Sequence, residues 1–153
     1  MKKTLLVALL ACLTIMFASC KKEKTLNGTN WKTHTTTTQQ VGEGALSLTA
    51  NITFDGTMSF TDATNGSMTI NFSGTAEGMG LSNPIESQNL TRTFTYTFDG
   101  EKGTLTGKDH TGAESTLPFT YNKKDNTITI SENMVDEETG LSLKVVLVFT
   151  EVK

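Results

Sequence analysis

Cysteine is nearly missing from this chain. Of 153 residues only Cys12 and Cys20 carry a thiol. A body without thiols has no disulfide, no redox pair and no cysteine metal site, so residues 21–153 must be held by their core alone. That length suffices for one core that buries roughly two-thirds of the unfolded surface. Long apolar runs are missing too. The longest, residues 5–17, is broken by Thr14 and falls short of the about 20 residues a spanning helix needs. An excess of positive charge is also absent. Lys and Arg number 13 against 16 Asp and Glu, a formal charge of −3, which argues against nucleic acid or anionic lipid as a partner. Aromatic residues make up only 7% and sit within one strand face. A transmembrane barrel would instead carry aromatic girdles at both interfaces.

Catalytic patterns are missing as well. There is no Gly-x-Ser-x-Gly and no Gly-rich loop ahead of a helix. His34 and His110 lie far apart, and neither has a histidine or carboxylate at metal-ligand spacing. Gly42 and Gly44 read as turn glycines. Asp136-Glu137-Glu138 lacks the alternating oxygen ligands of a calcium loop and reads as a solvated hairpin tip. The expectation is a protein that is not an enzyme and has no metal and no cofactor.

What is present begins at the N-terminus. Lys2 and Lys3 precede the apolar run, and Ala18 and Ser19 are small residues just before Cys20. This is the layout of a secretory signal. It resembles a bacterial lipoprotein signal with its lipobox, with Phe17 standing where that family usually carries an aliphatic residue. The resemblance implies that residues 1–19 are a signal peptide and that Cys20 becomes the mature N-terminus, carrying acyl chains such as palmitate. Several chains on one residue make a stable membrane anchor. Loss of Lys2 and Lys3 with the signal would move the formal charge from −3 to −5. Residues 20–27 then form the lipidated cysteine and a polar tether, and residues 28–153 the folded domain. Lys21 in place of Asp implies sorting to the outer membrane. With Glu23 the only acidic residue of the tether, the periplasmic face is favoured over the cell surface.

The body reads as strands. Leu46, Leu48, Ala50, Ile52 and Phe54 share one face and Ser47, Thr49, Asn51 and Thr53 the other, a period of two that marks a strand with one buried side. Asp55-Gly56 reads as a tight hairpin turn, and residues 57–63 return with Met58 and Phe60 inward. Asn65-Gly66 reads as the next turn. Residues 67–76 follow, with Met68, Ile70 and Phe72 inward and the small Gly74 and Ala76 on the same face. Residues 77–87 hold Gly78, Gly80, Asn83 and Pro84 and read as a longer irregular connection. Residues 88–98, 103–109, 114–121, 126–135 and 141–150 are further strands, and residues 29–39 form a Thr-rich first strand. The result is about nine antiparallel strands in meander order, with no helix after the signal. Closure would remove the sheet edges, so the expected fold is an all-β, antiparallel up-and-down barrel. A β-sandwich is the alternative.

Leu26-Asn27-Gly28-Thr29-Asn30-Trp31-Lys32 resembles the opening of the lipocalin-like lipoproteins of Gram-negative bacteria, in which a Gly-x-Trp begins the first strand and the Trp plugs one barrel end. Here the spacing is Gly-x-x-Trp. Full lipocalins also carry a helix after the barrel and a basic residue stacked on the Trp. This chain ends in a strand, and the sequence does not identify the basic partner. The resemblance implies a barrel that binds a small apolar or amphipathic ligand. Arg92 falls on an apolar face between Leu90 and Phe94. It either anchors a ligand carboxylate near the barrel mouth or snorkels to water. Tyr96 is placed near the same mouth, with Met79 and Leu81 in a covering loop over residues 77–87. The competing expectation is a module with a filled core that contacts an envelope protein or a glycan through that loop. An enclosed apolar cavity of about 300 Å³ or more separates the two.

Overall fold

A computed structural model describes residues 24–41, 47–109, 112–135 and 142–153. The signal segment, Cys20, Gly42, Gly44, Leu46, His110 and Asp136-Glu137-Glu138 lie outside the described residues. The strands are β1 (Thr29–Val41), β2 (Leu48–Phe60), β3 (Asn65–Gly78), β4 (Leu81–Phe98), β5 (Lys102–Lys108), β6 (Glu114–Asn122), β7 (Thr127–Val135) and β8 (Ser142–Val152). Every neighbour pair is antiparallel and sequential, and β1 pairs with β8 to close the barrel. The sandwich alternative is thereby excluded.

Two expected turns are strand interior. β2 runs straight through Asp55-Gly56, with Asp55 opposite Asn71 and Gly56 opposite Ile70 on β3. Gly56 serves close approach and not turning: a Cβ there would sit 2.6 Å from Thr69 O. Asn65 and Gly66 likewise belong to β3. The chain turns over residues 61–64, where the Asp62 carboxylate accepts the backbone N–H of Thr64 and of Asn65, each at 2.8 Å. Merging the two expected strands around residue 55 reduces about nine strands to eight.

Residues 77–87 are not an irregular connection. β3 continues to Gly78 and β4 starts at Leu81. Met79 and Gly80 make a two-residue turn with φ of 54° and 77°, the double positive φ that suits the twist of a hairpin. Pro84 is tolerated in β4 because β4 pairs with β5 only from Phe94 to Phe98, which leaves the other side of Pro84 without a ladder to break. Asp99-Gly100 does turn the chain. Gly100 has φ 100°, and the Asp99 carboxylate accepts the N–H of Lys102 at 2.7 Å and of Glu101 at 2.9 Å.

Alternation places Thr on the outside, where cross-strand hydroxyl pairs form between Thr36 and Thr53, Thr69 and Thr91, and Thr97 and Thr104. β1 is the exception to an apolar interior. Its inward positions after Trp31 are Thr33, Thr35, Thr37 and Gln39, and Thr33 is buried. The core concentrates at one end. Trp31, Phe60, Phe149, Leu26, Met58 and Ile128 are fully enclosed there. Phe60 meets Tyr96, Phe94 and Phe119 with ring centroids 4.7, 5.7 and 6.2 Å away. The N-terminal approach and the turns at residues 61–64, 99–101 and 123–126 all lie at this plugged end.

Candidate functional site

The opposite half of the barrel is hollow. A cavity of about 320 Å³ is lined by Ile52 and Phe54 of β2, Met68, Ile70 and Phe72 of β3, and Leu90 and Arg92 of β4. Leu117 of β6, Ile130 of β7 and Val145 and Leu147 of β8 complete the apolar wall, and Asp109, Ser115, Glu132 and Asn133 add polar groups. Local pairing explains why the hollow opens. β6 pairs with β7 only from Phe119 opposite Ile130 to Asn122 opposite Thr127. Above those four pairs β6 and β7 share no ladder, and Leu117 and Ser115 line the cavity from one side and Glu132 and Asn133 from the other. Asn133 is exposed, so the cavity reaches the barrel surface between these two strands.

Arg92 is the cation of this wall, which also carries the carboxyl groups of Asp109 and Glu132. It stands on the inward side of β4, opposite Met68 of β3. The residue is half-buried, and its Nε is shielded from solvent with no hydrogen-bond partner. A shielded donor without a partner costs about 1–3 kcal/mol. It gains most from a charged acceptor, and a guanidinium takes a carboxylate through paired N–H bonds. Glu132 lines the same cavity. A larger hollow of about 890 Å³ is an open groove on the outer side of β3, β4 and β5, lined by hydroxyls such as Ser67, Thr91, Thr93 and Thr106, and it too touches Arg92.

The structure brings only one of the expected ligand residues to the cavity. Tyr96 lies in the plugged half, with its hydroxyl donating to Asp62 O at 2.8 Å and its ring edge-to-face on Phe60. Burial raises its pKa, and the nearby Asp62 charge adds to the shift. Asp62 itself is held below the usual carboxylate range, first by the Thr64 N–H and then by Asn65. Met79 and Leu81 are 71% and 67% exposed at the tip of the β3–β4 hairpin and do not line the cavity. No loop covers it from residues 77–87. Ile85 packs on the core instead. Gly74 and Ala76 also lie outside the lining: a Cβ on Gly74 would press on the Asn51 backbone, so its smallness serves strand packing.

Two participants were missed. Glu132 breaks the inward series Ile128, Ile130 on β7, and its parity was the available signal. The second is Lys24. Its Nζ sits 5.4 Å from the Trp31 ring centroid and 5.6 Å from that of Tyr121. It donates to Glu151 Oε2 at 2.6 Å and to Asn126 Oδ1 at 3.3 Å. Asn126 Nδ2 donates to the same Glu151 oxygen at 2.7 Å. The Lys24 hydrogen bond holds the Glu151 carboxyl below its ordinary range against the opposing effect of burial, and Asn126 assists. Lys24 and the residues after it are thus packed on the barrel: Leu26 is 1% exposed, and Gly28 N–H donates to Phe60 O at 2.7 Å.

His34 lies on the outer face and contacts the Asp55 carboxylate across β1 and β2. Among the described residues no three His, Cys, Asp or Glu side chains gather to hold a metal. Among them, too, no helix is long and apolar enough to cross a membrane. No family model, curated protein or solved structure matches this chain.

Proposed function

We propose that this protein is a lipid-anchored, lipocalin-like binding protein of the bacterial cell envelope, holding a small amphipathic molecule with an anionic head in the open half of its barrel. The observation that carries this reading is Arg92, a cation with an unpartnered, shielded Nε on the wall of an otherwise mostly apolar hollow of about 320 Å³. That volume falls at the lower end of small-molecule sites. An apolar tail suits Ile52, Ile70, Leu117 and Leu147, and a carboxylate suits the guanidinium. The reading is one of binding and not of catalysis. Anchoring rests on Cys20 and the leader before it, and an outer-membrane, periplasm-facing position rests on Lys21 and on Glu23 as the lone acidic tether residue.

Native mass spectrometry of protein purified from its own membranes tests this reading, together with thermal shifts on adding dodecanoate. A co-purifying small molecule or a raised melting temperature is expected. Neither appearing would remove the carrier reading. A second reading, a module that contacts an envelope protein or glycan, is favoured by the exposed Met79 and Leu81. It predicts a partner whose binding is lost in Met79→Ser and Leu81→Ser and is indifferent to dodecanoate.

A further inference from the structure

The docking of Lys24 has a consequence for how the barrel stands on a membrane. From Lys24 onward the chain is fixed to the plugged end. Lys24 is bonded to Glu151 and Asn126 and lies over Trp31 and Tyr121. Leu26 is buried, Thr29 Oγ1 donates to Leu26 O at 2.5 Å, and Gly28 is bonded to Phe60. Only Lys21, Lys22 and Glu23 separate Cys20 from Lys24. Four residue steps, fully extended, span at most about 14 Å. β1 has 13 residues, and tilted as in a barrel it separates the two ends by roughly 30 Å. A leash that short, starting at the plugged end, keeps that end within about 14 Å of Cys20 and cannot stand the barrel on its far end.

We infer that the plugged end is the bilayer-facing surface of this protein and that the cavity opens away from the membrane, into the aqueous compartment. The inference rests on lipidation of Cys20. The sector nearest the leash is the β6–β7 turn, since Asn126 is bonded to Lys24, and that turn carries the exposed Lys123 and Lys124. With Lys21 and Lys22 they set four ammonium groups beside the anchor, suited to lipid phosphates. Among the described residues the acidic groups at the same end are Asp62, Asp99, Glu101, Asp125 and Glu151, the last paired with Lys24, and Glu23 stands in the tether itself. The first two are engaged by backbone N–H groups of their own turns, and Asp125 accepts from Asn122 Nδ2. The exposed apolar tip at Met79 and Leu81 is then not a membrane-dipping element, because it lies at the distal end beside the open half. Ligand exchange takes place with a partner in the aqueous phase and not with the anchoring bilayer.

The test uses the full lipidated protein in vesicles of phosphatidylethanolamine and phosphatidylglycerol. Beyond Cys20 the mature chain has no cysteine, so Lys124→Cys and Leu81→Cys each take one fluorescent label. Quenching by a headgroup-nitroxide lipid should be several-fold stronger at position 124 than at 81. Equal or reversed quenching in protein that floats with the vesicles overturns the orientation and leaves the anchor standing. Failure to float overturns the anchor and this inference with it. A long Gly-Ser insertion after Glu23 should level the two signals while flotation persists. An unchanged difference would show that the short tether does not set the orientation.

Discussion

Replacing Arg92 with Met separates a functional arginine from a structural one. The shielded Nε has no hydrogen-bond partner in the protein. An unpartnered buried donor costs about 1–3 kcal/mol, at the low end for a half-buried residue. Methionine keeps an unbranched stem beside Leu90, Met68 and Phe94 and removes the donor and the charge. The ligand-free variant should therefore be more stable by about 1 kcal/mol, read as a urea midpoint shift and as a melting temperature raised by about 4 °C for a domain of this size. Ligand binding should move the other way. A hydrogen bond to a charged group contributes about 1.5–3 kcal/mol, so affinity for dodecanoate should fall by roughly 10- to 100-fold. Dodecanol has the same tail without the charge and should bind wild type and variant alike. A ligand-free variant less stable than wild type would make Arg92 a structural residue. Equal loss of dodecanoate and dodecanol would mean that the tail pocket, and not the guanidinium, had been disturbed.

Cys20→Ala should leave the barrel folded and release it from membranes, measured by flotation. Continued association would contradict the anchor. Val145→Phe adds volume to the wall of the cavity and should abolish dodecanoate binding while changing stability by less than about 1.5 kcal/mol. An unchanged dodecanoate affinity would move the site elsewhere. Glu151→Gln should cost about 1 kcal/mol near neutral pH, since the Lys24–Glu151 contact is only partly shielded. The folded carboxyl titrates below its ordinary value, so this contribution is present above the unfolded pKa of about 4.3 and is lost as pH falls through the folded pKa. Urea melts should show the gap between wild type and variant closing as pH falls below the unfolded pKa, and a gap that widens on acidification would reverse the assignment. Gly103→Ala would set a Cβ 2.5 Å from Phe119 Cε1, and closer still to the Thr97 carbonyl. It should destabilise by about 1–3 kcal/mol by chemical denaturation.

The strand periodicity made the barrel legible, and the misplaced turns show where residue chemistry was given too much weight. Asp-Gly occurs at 55–56 and again at 99–100, and only the second pair turns the chain. Parity already separated them. A two-residue hairpin at 55–56 would set Phe54 opposite Thr57 and put Thr57 and Ser59 inward, yet the apolar residues are Met58 and Phe60, in unbroken step with Ile52 and Phe54. Gly56 was needed by the backbone of β3, a tertiary cause that no local pattern carries. The β3–β4 hairpin was obscured by Pro84 and Asn83, whose tolerance depends on β4 pairing there with β3 alone and not with β5. Arg92 was legible because it interrupts an apolar series. Lys24 was not, because its partners Trp31, Tyr121, Asn126 and Glu151 meet it only once the barrel closes.

The division into a filled and a hollow half follows from side-chain size along the strands. At the plugged end the inward residues are Trp31, Phe60, Tyr96, Phe98, Phe119, Tyr121 and Phe149, and their rings interlock through contacts such as Trp31 on Tyr121 and Phe98 on Phe119. Moving toward the open end, the same faces carry Ile52, Met68, Ile70, Leu90, Leu117, Ile130, Val145 and Leu147, with Phe54 and Phe72 the only rings. A barrel of eight strands has an interior just wide enough for side chains to fill or for one small ligand to occupy. The aromatic end therefore fills it, and the aliphatic end does not. Where the fill thins, the β6–β7 ladder stops at Ile130, and Arg92 and Glu132 appear at positions that the alternation reserves for apolar groups. The loss of filler, the loss of ladder and the arrival of charge coincide at one level of the barrel. Separately, each is an ordinary irregularity of a small β protein, but together they give a hollow with an apolar floor, a charged rim and an opening between β6 and β7.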